Sequence, residues 1–203
     1  EEQSPAVLVA EADVLALGAD VAGEAVVPFH IPVFRAAVQG TTPLDADAPD
    51  DDELPAVLLH TSGRTGKPKV AILRHRHLTS YVLGSVDFLS SDPDEAQLVA
   101  VPPYHIAGVA GLLTALYSGR RIVYLPNFDA AEWVRIAREQ RITHAMVVPT
   151  MLARIVEVLE QTGETLPHLR NLSYGGGRMP LPVVTRALEL LPHLDFVQFL
   201  SEH

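Results

Sequence analysis

Thr143-His144-Ala145-Met146-Val147 and, just beyond Pro149, Thr150-Met151-Leu152-Ala153-Arg154-Ile155-Val156-Glu157-Val158-Leu159-Glu160-Gln161 together decide the fold class. The first piece is short, and the run Ala145-Met146-Val147-Val148 carries no polar residue, as in a strand buried on both faces of a parallel sheet. The second repeats apolar residues at spacings of three and four, which predicts a helix with one buried stripe. The same alternation continues outward. Strands are predicted at 6–10, 26–30, 56–60, 69–73, 97–101, 121–125, 143–147, 169–174 and 196–199, and helices at 130–140, 150–161 and 181–191. Strand, helix, strand repetition predicts an α/β protein built on mainly parallel sheets with helices on both faces.

Composition narrows the function. The 203 residues hold 25 acidic against 15 basic side chains, 48% hydrophobic residues and no cysteine, so a packed core is affordable while disulfides and thiolate chemistry are excluded. The acidic surplus is local: residues 1–60 contain twelve acids and one base, Arg35, whereas 61–203 contain thirteen acids and fourteen bases. No basic stripe suits a nucleic acid. The longest stretch without a charged residue, 96–119, is interrupted by Gln97, Pro102, Pro103 and His105, which argues for strand, loop and buried helix rather than a membrane span. The N-terminus lacks the basic and apolar regions of a signal peptide, so the expected location is cytoplasmic. Residues 40–54, with six acids and two prolines and followed by Pro55, read as an exposed acidic linker.

The stretch Thr61-Ser62-Gly63-Arg64-Thr65-Gly66-Lys67-Pro68-Lys69 lies between two predicted strands. Glycines allow close backbone approach, hydroxyls donate, and lysines add charge, a combination suited to phosphate; a polar hairpin turn is the alternative. Only two residues separate the glycines and a strand follows, so the spacing is not that of a Walker A loop. No Gly-x-Ser-x-Gly elbow and no His-Glu-x-x-His pair occurs. His75 and His77 point to packing and helix capping rather than to metal. Later, Val101-Pro102-Pro103-Tyr104-His105-Ile106-Ala107-Gly108 and Ser173-Tyr174-Gly175-Gly176-Gly177-Arg178-Met179-Pro180 each follow a predicted strand. Three consecutive glycines there let a flat group lie against backbone.

These motifs, in this order, resemble the adenylate-forming superfamily of acyl-CoA synthetases, luciferases and nonribosomal adenylation domains. The wording of 73–78 and 174–180 is most similar to bacterial fatty-acid-CoA ligases. The resemblance implies part of the large N-terminal region of such a ligase, in two pieces: a phosphate-loop subdomain at 1–95 and a second α/β subdomain at 96–203. It implies ATP-dependent conversion of a carboxylic acid, here a fatty acid, to an acyl-adenylate and then to a coenzyme A thioester, with Mg2+. Thr61, Ser62, Gly63, Thr65, Gly66 and Lys69 would handle pyrophosphate. His105 would border the reacting carboxylate, Gly175, Gly176 and Gly177 would carry adenine, and 144–151 would line the acyl pocket. Ala107, Gly108 and Ala110 would leave room for an alkyl chain.

Three departures qualify the resemblance. Arg64 replaces the usual Thr or Ser, Val70 the commonest Gly, and the end, 195–203, lacks the family's Gly, so that Ser201 for phosphate and Glu202 for magnesium align only through a gap. The chain is well under half the length of such ligases, so an apolar face or sheet edge is expected to be open, leading to self-association or to docking of the C-terminal domain the family carries. A nucleotide-binding remnant and a structural interaction module are the alternative readings.

Overall fold

The computed structural model describes residues 7–10, 27–39, 41–42, 51–61, 69–102 and 105–198. Contacts part the chain into two units, 1–49 and 50–203. In the first, strands β1 (Val7–Ala10) and β2 (Val27–His30) pair in parallel and helix α1 (Ile31–Val38) follows.

The second unit opens with a hairpin. Strands β3 (Pro55–Thr61) and β4 (Lys69–Arg74) pair antiparallel, with Leu58 opposite Ile72 and Thr61 opposite Lys69. Helix α2 (His75–Ser85) leaves β4 directly. A five-stranded parallel sheet comes next, formed by β5 (Ala96–Val99), β6 (Arg121–Tyr124), β7 (His144–Val147), β8 (Asn171–Tyr174) and β9 (Asp195–Gln198) in the order β6-β5-β7-β8-β9. Helices α3 (Ile106–Ser118), α4 (Ala130–Glu139), α5 (Pro149–Thr162) and α6 (Leu181–Leu190) are the crossovers. The division expected at residue 95 falls inside this unit, on which α2 packs against α3.

All nine expected strands are present, each within about two residues of its expected bounds. The pairing of β3 with β4 differs from the parallel expectation, because the connection 62–68 is too short for a crossover and only a hairpin closes it.

The sheet's two faces are unequal. On one, Leu98, Ala100, Ala145, Val147 and Leu172 pack against Trp133 and Val134 of α4 and Leu152, Ile155 and Leu159 of α5, most of them fully buried. Along a strand successive side chains alternate, so Gln97, Val99, His144, Met146, Asn171 and Ser173 take the other face. Helix α3 covers that face at β5 and β6, while β8 and β9 leave Asn171 and Ser173 half-buried and Val197 exposed. Both-face coverage therefore holds for the β5 side only, and polar residues accompany the uncovered part. Among the described residues no helix is long and apolar enough to cross a membrane.

Candidate functional site

Strand order makes one place in this sheet special. Helix α3 leaves β5 toward one face, whereas α4, α5 and α6 lie on the other, so the chain reverses direction between the adjacent strands β5 and β7. In open α/β sheets the crevice outside the carboxyl ends of two such strands is where ligands bind. The motif at 101–108 follows β5 at this crevice, and the glycine motif at 173–180 follows β8, one strand beyond it.

His105 follows β5 and is the N-cap of α3, with extended backbone at φ −103° and ψ 143°. Its N–H donates to the Pro102 carbonyl at 3.0 Å, and its own carbonyl accepts from the N–H groups of Gly108 at 3.0 Å and Val109 at 3.3 Å. The ring is exposed at the helix N-terminus, where unpaired N–H groups favour anions. Gly108 makes this turn fit: a Cβ there would stand 2.4 Å from the Pro102 carbonyl oxygen. Its missing side chain is thus filled by backbone rather than kept for an alkyl chain. Beneath α3, residues Gln97, Val99, Val101, Ala107, Gly111 and Met146 line a pocket of only about 10 Å³, room for one water.

Past β8, Gly175 is buried and its N–H donates to the Val147 carbonyl at 3.3 Å, which extends the sheet ladder by one step. Gly176 has φ +78°, a conformation that side chains strain, and it and Gly177 are exposed beside Val148 and Pro149 at the end of β7. The result is a strip of bare backbone at the carboxyl edge. Met146 faces the α3 pocket while Met151 packs against the core, so the expected acyl-lining stretch contributes one methionine to each side.

The hairpin carries the other candidates. Thr61 and Lys69 stand opposite each other at its loop end, Lys69 exposed. Ser62, Gly63, Thr65 and Gly66 lie outside the described residues, as do Ser201 and Glu202. At the hairpin's base the acidic linker is tied down: Glu53 pairs with Arg76 at 2.8 Å and with Arg74, whose guanidinium also donates to the Glu53 carbonyl. His77 Nδ1 accepts the Arg74 N–H at 3.2 Å, so His77 caps α2. No group of three potential metal ligands occurs among the described residues.

Two groups were not legible as site residues. Gln97, 8% exposed, stands on the α3 face of β5; the signal was a single amide in an apolar strand. At the opposite, amino edge of the sheet, Glu95 bonds Arg120 at 2.9 Å and lies 3.8 Å from Arg170 and 4.0 Å from His144, whose Nδ1 is 2.9 Å from the Thr143 hydroxyl. Burial, then the Arg120 charge, holds the His144 pKa down to about 4 against the opposing pull of Glu95. This cluster ties four strand starts together, far along the strands from the crevice.

Known proteins resemble this chain over most of its length. A profile described as "AMP-binding enzyme" matches residues 3–200. The chain is 31% identical over 150 residues to the 4-coumarate–CoA ligase-like 6 protein of Arabidopsis thaliana, covering 70% of this chain and 26% of that one. It is 31% identical over 152 residues to the 2-succinylbenzoate–CoA ligase of Bacillus licheniformis, covering 75% and 30%. Among solved structures, MatB from Rhodopseudomonas palustris superimposes in its apo form with a TM-score of 0.81 at 24% identity, over 98% of this chain and 40% of that chain. Its ATP-bound form gives 0.78 at 25% identity, over 97% and 40%. The chain spans less than a third of the length of the Arabidopsis and Bacillus relatives.

Proposed function

Because the chain belongs to the AMP-binding enzyme family, we propose that it carries the acyl-adenylate-forming portion of an ATP-dependent carboxylate–CoA ligase. The carrying observation is that His105, past β5, and the bare backbone of residues 175–177, past β8 and beside Val148 and Pro149 at the end of β7, lie along the same carboxyl edge. In the proposed step a carboxylate oxygen attacks the α-phosphorus of ATP, the bond to the β-phosphate breaks, and pyrophosphate leaves. A coenzyme A thiol then attacks the acyl carbon and AMP leaves. Gly175, Gly176 and Gly177 hold adenine. His105 and the N-terminus of α3 face the carboxylate and the charge that develops near it, a task of positioning and electrostatic stabilisation. Thr61, Ser62, Gly63, Thr65, Gly66 and Lys69 would take the departing pyrophosphate, Ser201 would meet phosphate, and Glu202 would hold Mg2+, whose charge would offset that of the phosphates. A cytoplasmic setting belongs to the same proposal.

The acyl group is the open term. A fatty acid is the expectation from the motif wording, but the Bacillus relative is named for a different acid, 2-succinylbenzoate, and the Arabidopsis relative for its likeness to a 4-coumarate ligase.

Calorimetric titration with MgATP and with a nonhydrolysable butyryl-adenylate analogue tests the reading. Saturable binding of both is expected, with MgATP affinity falling about tenfold in Lys69→Ala, in line with loss of one charge-assisted contact. A folded sample that binds neither overturns the proposal in favour of a structural module. Binding without pyrophosphate exchange leaves a nucleotide-binding role.

A further inference from the structure

We infer that Glu53 is a positioning residue for the phosphate end of the hairpin: it clasps the base of β3 and β4 and so keeps Thr61 opposite Lys69 at the other end. The inference rests on the ligase reading above and adds a residue to it.

The hairpin's own packing holds it poorly. One face shows Leu58, Val70 and Ile72, at 42%, 38% and 49% exposure, and the other is only half-buried through Val57, Leu59 and Leu73. A two-stranded hairpin is marginal in water without a third strand or a covered face. Its ladder is also irregular at the base, where the register shifts between Pro55 and Val57.

The turn of residues 51–54 closes this weak end. The Leu54 N–H donates to the Asp51 carbonyl at 3.3 Å and the Glu53 N–H to the Asp51 carboxylate at 2.9 Å, which folds the turn. The carbonyls of Asp52 and Leu54 accept from the N–H groups of Arg76 at 3.0 Å and His75 at 3.2 Å, the first donors of α2, which have no partner inside the helix. The Glu53 carboxylate lies 2.8 Å from Arg76 and 3.6 Å from Arg74, and the Arg74 guanidinium also donates to the Glu53 carbonyl. Arg74 stands opposite Pro55, so the clasp joins the first residue of β3 to the last of β4. Without the Glu53 charge, two arginines would crowd the N-terminus of α2, where the helix dipole disfavours cations. Fraying then starts at the irregular base and shortens the ladder whose last pair is Thr61 and Lys69. With Glu53 54% and Arg76 49% exposed, salt reaches the pair and screens it.

The test is amide hydrogen exchange of the isotopically labelled chain and of Glu53→Gln, in about 0.05 M and about 0.5 M salt, each form checked for folding by circular dichroism. At low salt the amides of β3 and β4 are expected to exchange about fivefold faster in Glu53→Gln, the upper end for an exposed ion pair, while those of Leu98, Ala145 and Leu172 keep their rates. High salt is expected to bring the unaltered chain to the variant's rates and to leave the variant as it is, a response that lost packing would not give. MgATP affinity at low salt, read by calorimetry, is expected to fall by a similar factor in Glu53→Gln, with no further loss when Glu53→Gln is added to Lys69→Ala. Unchanged hairpin rates, equal acceleration throughout the five-stranded sheet, or faster hairpin exchange with undiminished MgATP affinity overturns the inference while the ligase reading stands. Should Glu53→Gln fail to fold, the salt series on the unaltered chain decides, and hairpin amides that ignore salt overturn it. If the folded, unaltered chain binds no MgATP, the ligase reading fails and the positioning role with it.

Discussion

His144 shows how one residue's environment sets a property of the fold. Its ring sits at the start of β7 against Thr143, with Glu95, Arg120 and Arg170 as the charged groups around it. Its folded pKa of about 4 lies below the usual histidine value of about 6.5. In the unfolded chain the ring binds a proton over that interval and in the folded chain it does not, so stability rises with pH there. The neutral-ring contribution is complete above about pH 6.5 and is lost as pH falls toward 4. Urea midpoints at pH 7 and pH 5 measure it: the midpoint is expected to drop at pH 5, and the drop to shrink in His144→Asn. An equal drop in both forms would assign the acid sensitivity to carboxylates instead. Residue-scale features were the least legible ones. His77 as a helix cap was readable, because its position just after a strand suggested it, whereas Gln97 and the Glu95–Arg120–His144 cluster depend on partners 14 to 49 positions away that only register brings together.

At the scale of elements, the decisive contact is between the first turns of α3 and the end of β5. Because Gly108 meets backbone rather than a flexible side chain, Gly108→Ala must lift the helix away from Pro102. The expected loss is about 2 kcal/mol in urea unfolding, the scale of overpacking, despite the better helix propensity of alanine. An unchanged or higher stability would mean that the turn relaxes freely and that His105 is not rigidly placed. The strands themselves were legible, since short apolar runs between turn residues mark them and the burial of β5 on both faces matches its sequence. Their pairing was less so. Nothing local in Leu58-Leu59-His60 states that β3 will turn back on β4 instead of joining a parallel sheet; that follows from the short connection between them.

For the whole molecule, the alternation of strands and helices was enough to read the fold class, and motif order was enough to read the family. The expected open apolar face is also there among the described residues: Ile106, Leu112 and Leu116 of α3, at 50%, 39% and 60% exposure, lie on the side of the helix away from the sheet, and Phe88 and Leu89 are exposed too, at 65% and 63%. Such a face favours association in water. Light scattering from 5 to 200 micromolar, roughly the range where weak apolar association shows, is expected to give a rising mass that Leu112→Lys with Leu116→Lys abolishes. A constant monomer mass across the series would contradict it. The proposed site was legible as a set of motifs but not as a place, because the strand order that puts His105 and residues 175–177 along one carboxyl edge is set by crossovers, not by spacing. The most direct measurement of the central claim is therefore one of location: backbone amide shifts of the isotopically labelled chain, recorded while butyryl-sulfamoyl adenosine is added. The account predicts saturable shifts concentrated at residues 105–108, 147–149 and 175–177. Shifts centred on Glu95, Arg120 and His144 at the opposite edge, or none in a folded sample, would contradict it.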